Sequence, residues 1–192
     1  MTSTLHKPFP ASWRAEILST PPLIAPARRF VYPHSLPGEE QALERGALFL
    51  HVSPDSGADF LATCALGFAA EDLPSGVWSC PRAEELLAVA GGYAYLIDTR
   101  QPEQATLLEQ RPVTALLAAP TEGMLLLAGF HNVLALGSDG VRWTSSRLSW
   151  EGLTLGELCD GKLHGTGWHM MDDNELPFVL DLRTGQHTGG GF

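Results

Sequence analysis

Positive charge is scarce in this chain. Lys and Arg number 12 against 22 Asp and Glu, a formal net charge of −10 over 192 residues. That field repels a phosphate backbone or an anionic bilayer, so neither nucleic acid nor membrane is an expected partner. The only adjacent basic pair, Arg28-Arg29, sits in a Pro-rich stretch. Charged residues of both signs make up only 18% of the chain, so the surface must be neutral and polar in places or covered by a partner. Cysteine is equally sparse. Cys64, Cys80 and Cys159 contain no C-x-x-C pair, which argues against a zinc ribbon or a thioredoxin-like site. Their odd number fits reduced, partly buried thiols in a cytoplasmic protein. Long apolar runs are missing too. The longest, 116–130, is broken by Pro120, Thr121, Glu122 and Gly123, short of the roughly 18 residues that a membrane-crossing helix needs. Residues 1–10 hold no basic segment followed by an apolar one, so no secretory signal is expected.

Catalytic signatures are absent in the same way. There is no G-x-S-x-G elbow, no G-x-G-x-x-G turn and no P-loop. Gly189-Gly190-Gly191 precedes no helix that could hold a phosphate, and the tail 186–192 is expected to fray. Nothing in the sequence implies a cofactor.

What is present is a hydrophobic content of 44%, enough for an ordinary core. Half of the 14 prolines fall in residues 1–45: Pro8, Pro10, Pro21, Pro22, Pro26, Pro33 and Pro37. Proline fixes φ and removes a donor, so this part is expected to be an extended arm packed on the main domain. Short helices are expected at 11–18 and 38–45, with Phe9, Trp13, Ile17, Leu23, Ile24, Phe30 and Tyr32 as anchors.

Residues 46–192 read as a single all-β repeat domain of short strands and turns. Strands are expected at 46–52, 60–68, 77–80, 86–90, 93–97, 113–118, 124–128, 132–136, 141–144, 163–171 and 177–182. The turn signals are Pro54-Asp-Ser-Gly57, Asp72-Leu-Pro-Ser-Gly76 and Gly137-Ser-Asp-Gly140. Gly91, Gly129 and Gly167 recur at intervals of 38 between apolar stretches, which predicts three equivalent backbone positions in a repeated unit.

The segment 112–145 resembles one blade of a β-propeller of the WD or quinoprotein-like kind. The residues that carry the resemblance are Met124-Leu-Leu-Leu-Ala-Gly129, Val133-Leu-Ala-Leu-Gly-Ser-Asp-Gly140 and Val141-Arg-Trp143. Arg147-Leu-Ser-Trp-Glu-Gly152 is also similar to uncharacterised bacterial proteins. The resemblance implies a fold and carries no functional residues across. Residues 46–190 hold roughly three and a half units of about 40 residues, against four to eight blades in a ring. The expected fold is therefore all-β, with repeated antiparallel four-stranded units. It is propeller-like, with a β-sandwich or an open curved sheet as the alternative, and two chains completing a ring as a route to a homo-oligomer.

Two clusters could carry function. Val141–Gly152 places Trp143 and Trp150 beside Arg142 and Arg147, the residue types most enriched in binding hot spots. On a strand, Arg142 and Trp143 face opposite ways. His169 and Asp173 would share a strand face as a two-ligand metal fragment, whereas His164 and His169 would not. The expected function is a non-enzymatic binding or scaffold module with a protein partner. The alternative is a metal-dependent hydrolase with its site near His169 and Asp173.

Overall fold

Alternation of apolar and polar residues builds the first sheet. The computed structural model describes residues 4–70 and 72–192. Its strands in chain order are β1 Thr4–His6, β2 Trp13–Leu18, β3 Arg28–Tyr32, β4 Ala47–Pro54, β5 Phe60–Ala65, β6 Gly76–Ser79, β7 Glu85–Ala90, β8 Tyr93–Asp98 and β9 Thr106–Leu107. Then come β10 Ala115–Ala119, β11 Met124–Ala128, β12 Val133–Gly137, β13 Gly140–Thr144, β14 Leu153–Cys159, β15 Lys162–His169, β16 Asn174–Asp181 and β17 His187–Gly189. In β4 every second residue, Leu48, Leu50, Val52 and Pro54, is buried. The period of two puts one face of the strand in the core. The only helical turns among the described residues are two short 3-10 turns, Ala42–Arg45 and Pro102–Gln104. The fold is thus all-β with repeated sheets. Among the described residues no helix is long and apolar enough to cross a membrane.

The chain divides into two compact units, residues 1–112 and 113–192. The first unit holds one sheet in the order β2-β4-β5-β3 and another in the order β1-β6-β7-β8-β9. Most neighbours are antiparallel, but β3 runs parallel to β5 and β1 parallel to β6. The second unit holds two antiparallel meanders, β10-β11-β12-β13 and β14-β15-β16-β17. In β7, β11 and β12 every residue is buried, as continuous apolar strands require.

The boundary expected at residue 45 falls inside the first unit. Segment 1–45 supplies β1, β2 and β3, and β2 pairs with β4 from Trp13↔Pro54 to Leu18↔Phe49. The helix expected over 11–18 is this strand. Trp13 and Ile17 are four apart, which suits one face of a helix, but Trp13, Ala15 and Ile17 equally suit one face of a strand. The edge of β4 offers hydrogen-bond partners that decide the matter. Of the helix expected over 38–45, only the 3-10 turn Ala42–Arg45 forms. Leu23 and Ile24, expected as anchors, are the most exposed large apolar residues described, at 106% and 93%.

The glycine period is also corrected. Gly91 lies in the two-residue turn joining β7 to β8, with φ +52, and Gly129 opens the turn joining β11 to β12. Both are middle hairpins of their sheets. Gly167 is different: it lies inside β15, paired with Leu153 and Leu176. The corresponding hairpin of the last sheet turns at 170–173. The repeat is real at the level of sheets, but the third glycine does not belong to it.

In the first unit, buried aromatic side chains spend their polar ends on main-chain carbonyls. Trp13 Nε1 donates to Glu85 O at 3.0 Å, Tyr32 Oη to Pro102 O at 2.6 Å and Tyr95 Oη to Ala65 O at 2.8 Å. Cys64 and Cys80 are buried, and burial pushes both thiols far above their ordinary range. Cys159 is exposed, and the neighbouring Asp160 carboxylate raises its pKa.

Glu85 is 8% exposed, with Oε1 3.3 Å from Arg82 Nη1 and Oε2 buried without a hydrogen-bond partner. Burial raises its pKa and outweighs the opposing pull of Arg82. A carboxyl raised in the folded state favours folding below its unfolded pKa, and that advantage is lost as pH rises through the folded value. Thermal melts from pH 4 to 8 should therefore show wild type losing stability relative to Glu85→Gln as pH rises. Parallel curves would contradict this. In the second unit, Leu126→Ala at a fully buried site should cost about 2–5 kcal/mol, read from urea denaturation midpoints.

Candidate functional site

After Thr144 the chain leaves β13 and runs as a strap over 145–150, clamped by its buried serines. Ser145 N donates to Val133 O at 2.8 Å, and Ser145 Oγ accepts from Val133 N at 3.0 Å. Leu148 N donates to His131 O at 2.7 Å. Ser149 Oγ accepts from Trp168 N at 2.8 Å, and Trp150 N donates to Trp168 O at 3.0 Å. The strap crosses β15 at Gly167, where a Cβ would stand 2.4 Å from Leu148 O. That close approach is the role of Gly167.

The C-terminal segment lies along the same strap. Trp143 Nε1 donates to Leu182 O at 2.9 Å, and its indole covers Gly185. Ser146 Oγ lies 2.9 Å from His187 Nε2. Gly191 N donates to Leu148 O at 2.7 Å, and Gly190 N to Pro177 O at 2.9 Å. The Phe192 ring meets the Trp150 ring edge-on with centroids 4.9 Å apart. The tail expected to fray is therefore docked. Its glycines serve close contact: a Cβ at Gly191 would lie 2.4 Å from the Trp168 carbonyl carbon and oxygen.

Arg147 is fixed at the centre of this junction. Nε donates to Ser149 O and Nη2 to Trp150 O, each at 3.0 Å. Its guanidinium carbon lies 4.9 Å from the Trp150 centroid and 4.3 Å from that of Phe192. Contacts of this kind contribute about 0.5–2 kcal/mol each. Trp150 is half-buried and Phe192 is exposed.

Of the four residues expected to bind, Arg147 and Trp150 meet here, whereas Trp143 packs elsewhere along the strap, against Leu182 and Gly185. Arg142 is exposed on the opposite face of β13, as alternation dictates, and its Nη1 donates to Glu122 O at 3.3 Å. It takes no part in the junction. Sequence reasoning missed Ser146, His187 and Phe192. The available signal was the glycine run itself, because consecutive glycines suit a tight backbone crossing as well as they suit disorder.

The metal fragment does not assemble as expected. The strand ends at His169, so Asp173 sits in the hairpin turn and alternation no longer relates the two. His169 Nδ1 lies 2.9 Å from Asp172 Oδ2, close enough for an ion pair but not aligned as a hydrogen bond. Asp173 Oδ1 instead accepts from Trp168 Nε1 at 3.1 Å. Among the described residues no three His, Cys, Asp or Glu side chains gather as a metal site.

A cavity of about 310 Å³ opens beside His187, with Lys162, Asp181, Arg183, Thr184 and Thr188 in its walls. Asp181 Oδ1 accepts from Thr184 Oγ1 at 2.8 Å, Thr184 N at 2.9 Å and Arg183 N at 3.1 Å. These bonds, those of Thr184 foremost, hold its carboxyl below the usual carboxylate range.

No family model and no curated protein matches this chain. It is similar to the extracellular domain of BT4673 from B. thetaiotaomicron at 13% identity and a TM-score of 0.42, covering 74% of this chain and 22% of that one. It is also similar to the N-terminal domain of Nup159 at 12% identity and a TM-score of 0.36, covering 98% of this chain and 53% of that one. The chain thus spans about a fifth and about half of these two structures. Neither similarity bears on the site.

Gly191→Ala should lift the C-terminal segment from the strap. Amide hydrogen exchange over 187–192 should accelerate roughly tenfold or more, equivalent to about 1.4 kcal/mol of local opening, while 124–137 stays protected. Unchanged exchange in the tail would contradict the docking.

Proposed function

We propose that the chain is a protein-binding or scaffold module built from blade-like, propeller-type sheets, with a recognition surface formed by Arg147, Trp150 and Phe192. One observation carries this reading: the Arg147 guanidinium is ordered over two partly exposed aromatic rings before any partner arrives. A side chain already fixed loses little further rotamer entropy on binding, which favours affinity. Trp150 and Phe192 offer apolar faces, and the third guanidinium nitrogen, Nη1, remains for a partner's carbonyl or carboxylate. The low fraction of charged residues suits a surface that another protein covers. Free thiols at Cys64, Cys80 and Cys159 suit a reducing compartment such as the cytoplasm.

Immobilised wild-type protein should retain a partner from lysate that a doubly substituted Arg147→Ala, Trp150→Ala protein of matching circular dichroism does not. Loss of two central anchors should weaken binding by at least about 2 kcal/mol, roughly thirtyfold. Retention at wild-type levels would overturn the assignment of this surface. Sedimentation over a concentration series identifies the case in which the partner is a second copy of the chain.

A further inference from the structure

We propose that Ser146 and His187 form a nucleophile–base pair that cleaves small carboxylic esters. Ser146 Oγ lies 2.9 Å from His187 Nε2, and His187 Nδ1 lies 3.0 Å from Gly189 O. A carbonyl oxygen only accepts, so the neutral imidazole carries its proton on Nδ1 and turns the Nε2 lone pair toward the serine hydroxyl. Nucleophile, base and orienting group thus stand in one hydrogen-bonded chain, with a main-chain carbonyl in the orienting place.

Both members are held by the fold. His187 and Gly189 belong to β17, which pairs with β16 through Leu180↔His187 and Phe178↔Gly189. Ser146 sits between Ser145, bonded to Val133, and Leu148, bonded to His131. Its side chain is exposed, so a carbonyl carbon can reach Oγ without any opening of the structure.

The reaction needs only water as co-reactant. Oγ bonds to the ester carbonyl carbon while its proton passes to Nε2 and the carbonyl π electrons move to oxygen. The carbonyl re-forms as the carbon–alkoxide bond breaks, and Nε2 returns the proton to the departing alkoxide. Water then attacks the acyl-serine and gives a proton to Nε2. The carbon–Oγ bond breaks, Oγ regains its proton, and a carboxylic acid is released.

An alkyl fluorophosphonate tests the pair, because it reacts with an activated serine hydroxyl and leaves ordinary ones unmodified. Peptide mapping by mass spectrometry should find the adduct on Ser146, absent in Ser146→Ala and formed roughly 100-fold more slowly in His187→Gln. Turnover of p-nitrophenyl acetate should fall in parallel. Ser146→Ala removes one exposed hydroxyl, so its loss of turnover is read on a folded protein even where His187→Gln disturbs β17. An unmodified Ser146 under prolonged excess of probe would overturn the proposal, as would labelling equally fast in His187→Gln. Neither residue belongs to the recognition surface proposed above, so that reading stands or falls separately.

Discussion

The second unit depends on a crossing of two backbones that neither sheet could make alone. Leu148 O accepts from Gly191 N, while Leu148 N donates to His131 O. One residue of the strap is thereby fixed to the C-terminal segment on one side and to the loop before β12 on the other. Buried main-chain groups must find partners, and here they find them across long sequence separations. Gly167 and Gly191 are the positions where side chains would force the backbones apart.

Everything chemically interesting in this unit follows from that crossing. It places Ser146 against His187 and Arg147 against Phe192, pairs about 41 and 45 residues apart in sequence. The aromatic face and the serine–histidine pair sit side by side because the two segments run in the same direction along each other. The carbonyls of Ser149 and Trp150 orient Arg147, and that of Gly189 orients His187. The backbone does the work that carboxylates do elsewhere, which agrees with a chain short of charge.

Strands with unambiguous patterns were legible in the sequence. Met124–Ala128 was read to the residue, and Leu86–Ala90 and Tyr93–Ile97 to within one, because apolar runs bounded by Gly-containing turns have few other solutions. Trp13–Leu18 was not legible, since spacings of two and four coincide on Trp13 and Ile17. Gly167 was misread because a glycine needed for close approach looks the same in sequence as one needed for a turn. The strap was singled out by its Trp and Arg content. Its partner was not, because His187 and Phe192 lie among glycines that resemble a disordered tail.

Composition and periodicity determined the all-β class and the short strands, since these depend on local pattern. Only the tertiary structure decided that segment 1–45 joins the sheets and that the C-terminal segment docks along the strap. Those outcomes rest on hydrogen bonds between residues far apart in the chain. No local pattern specifies such bonds until the sheets that hold them have formed.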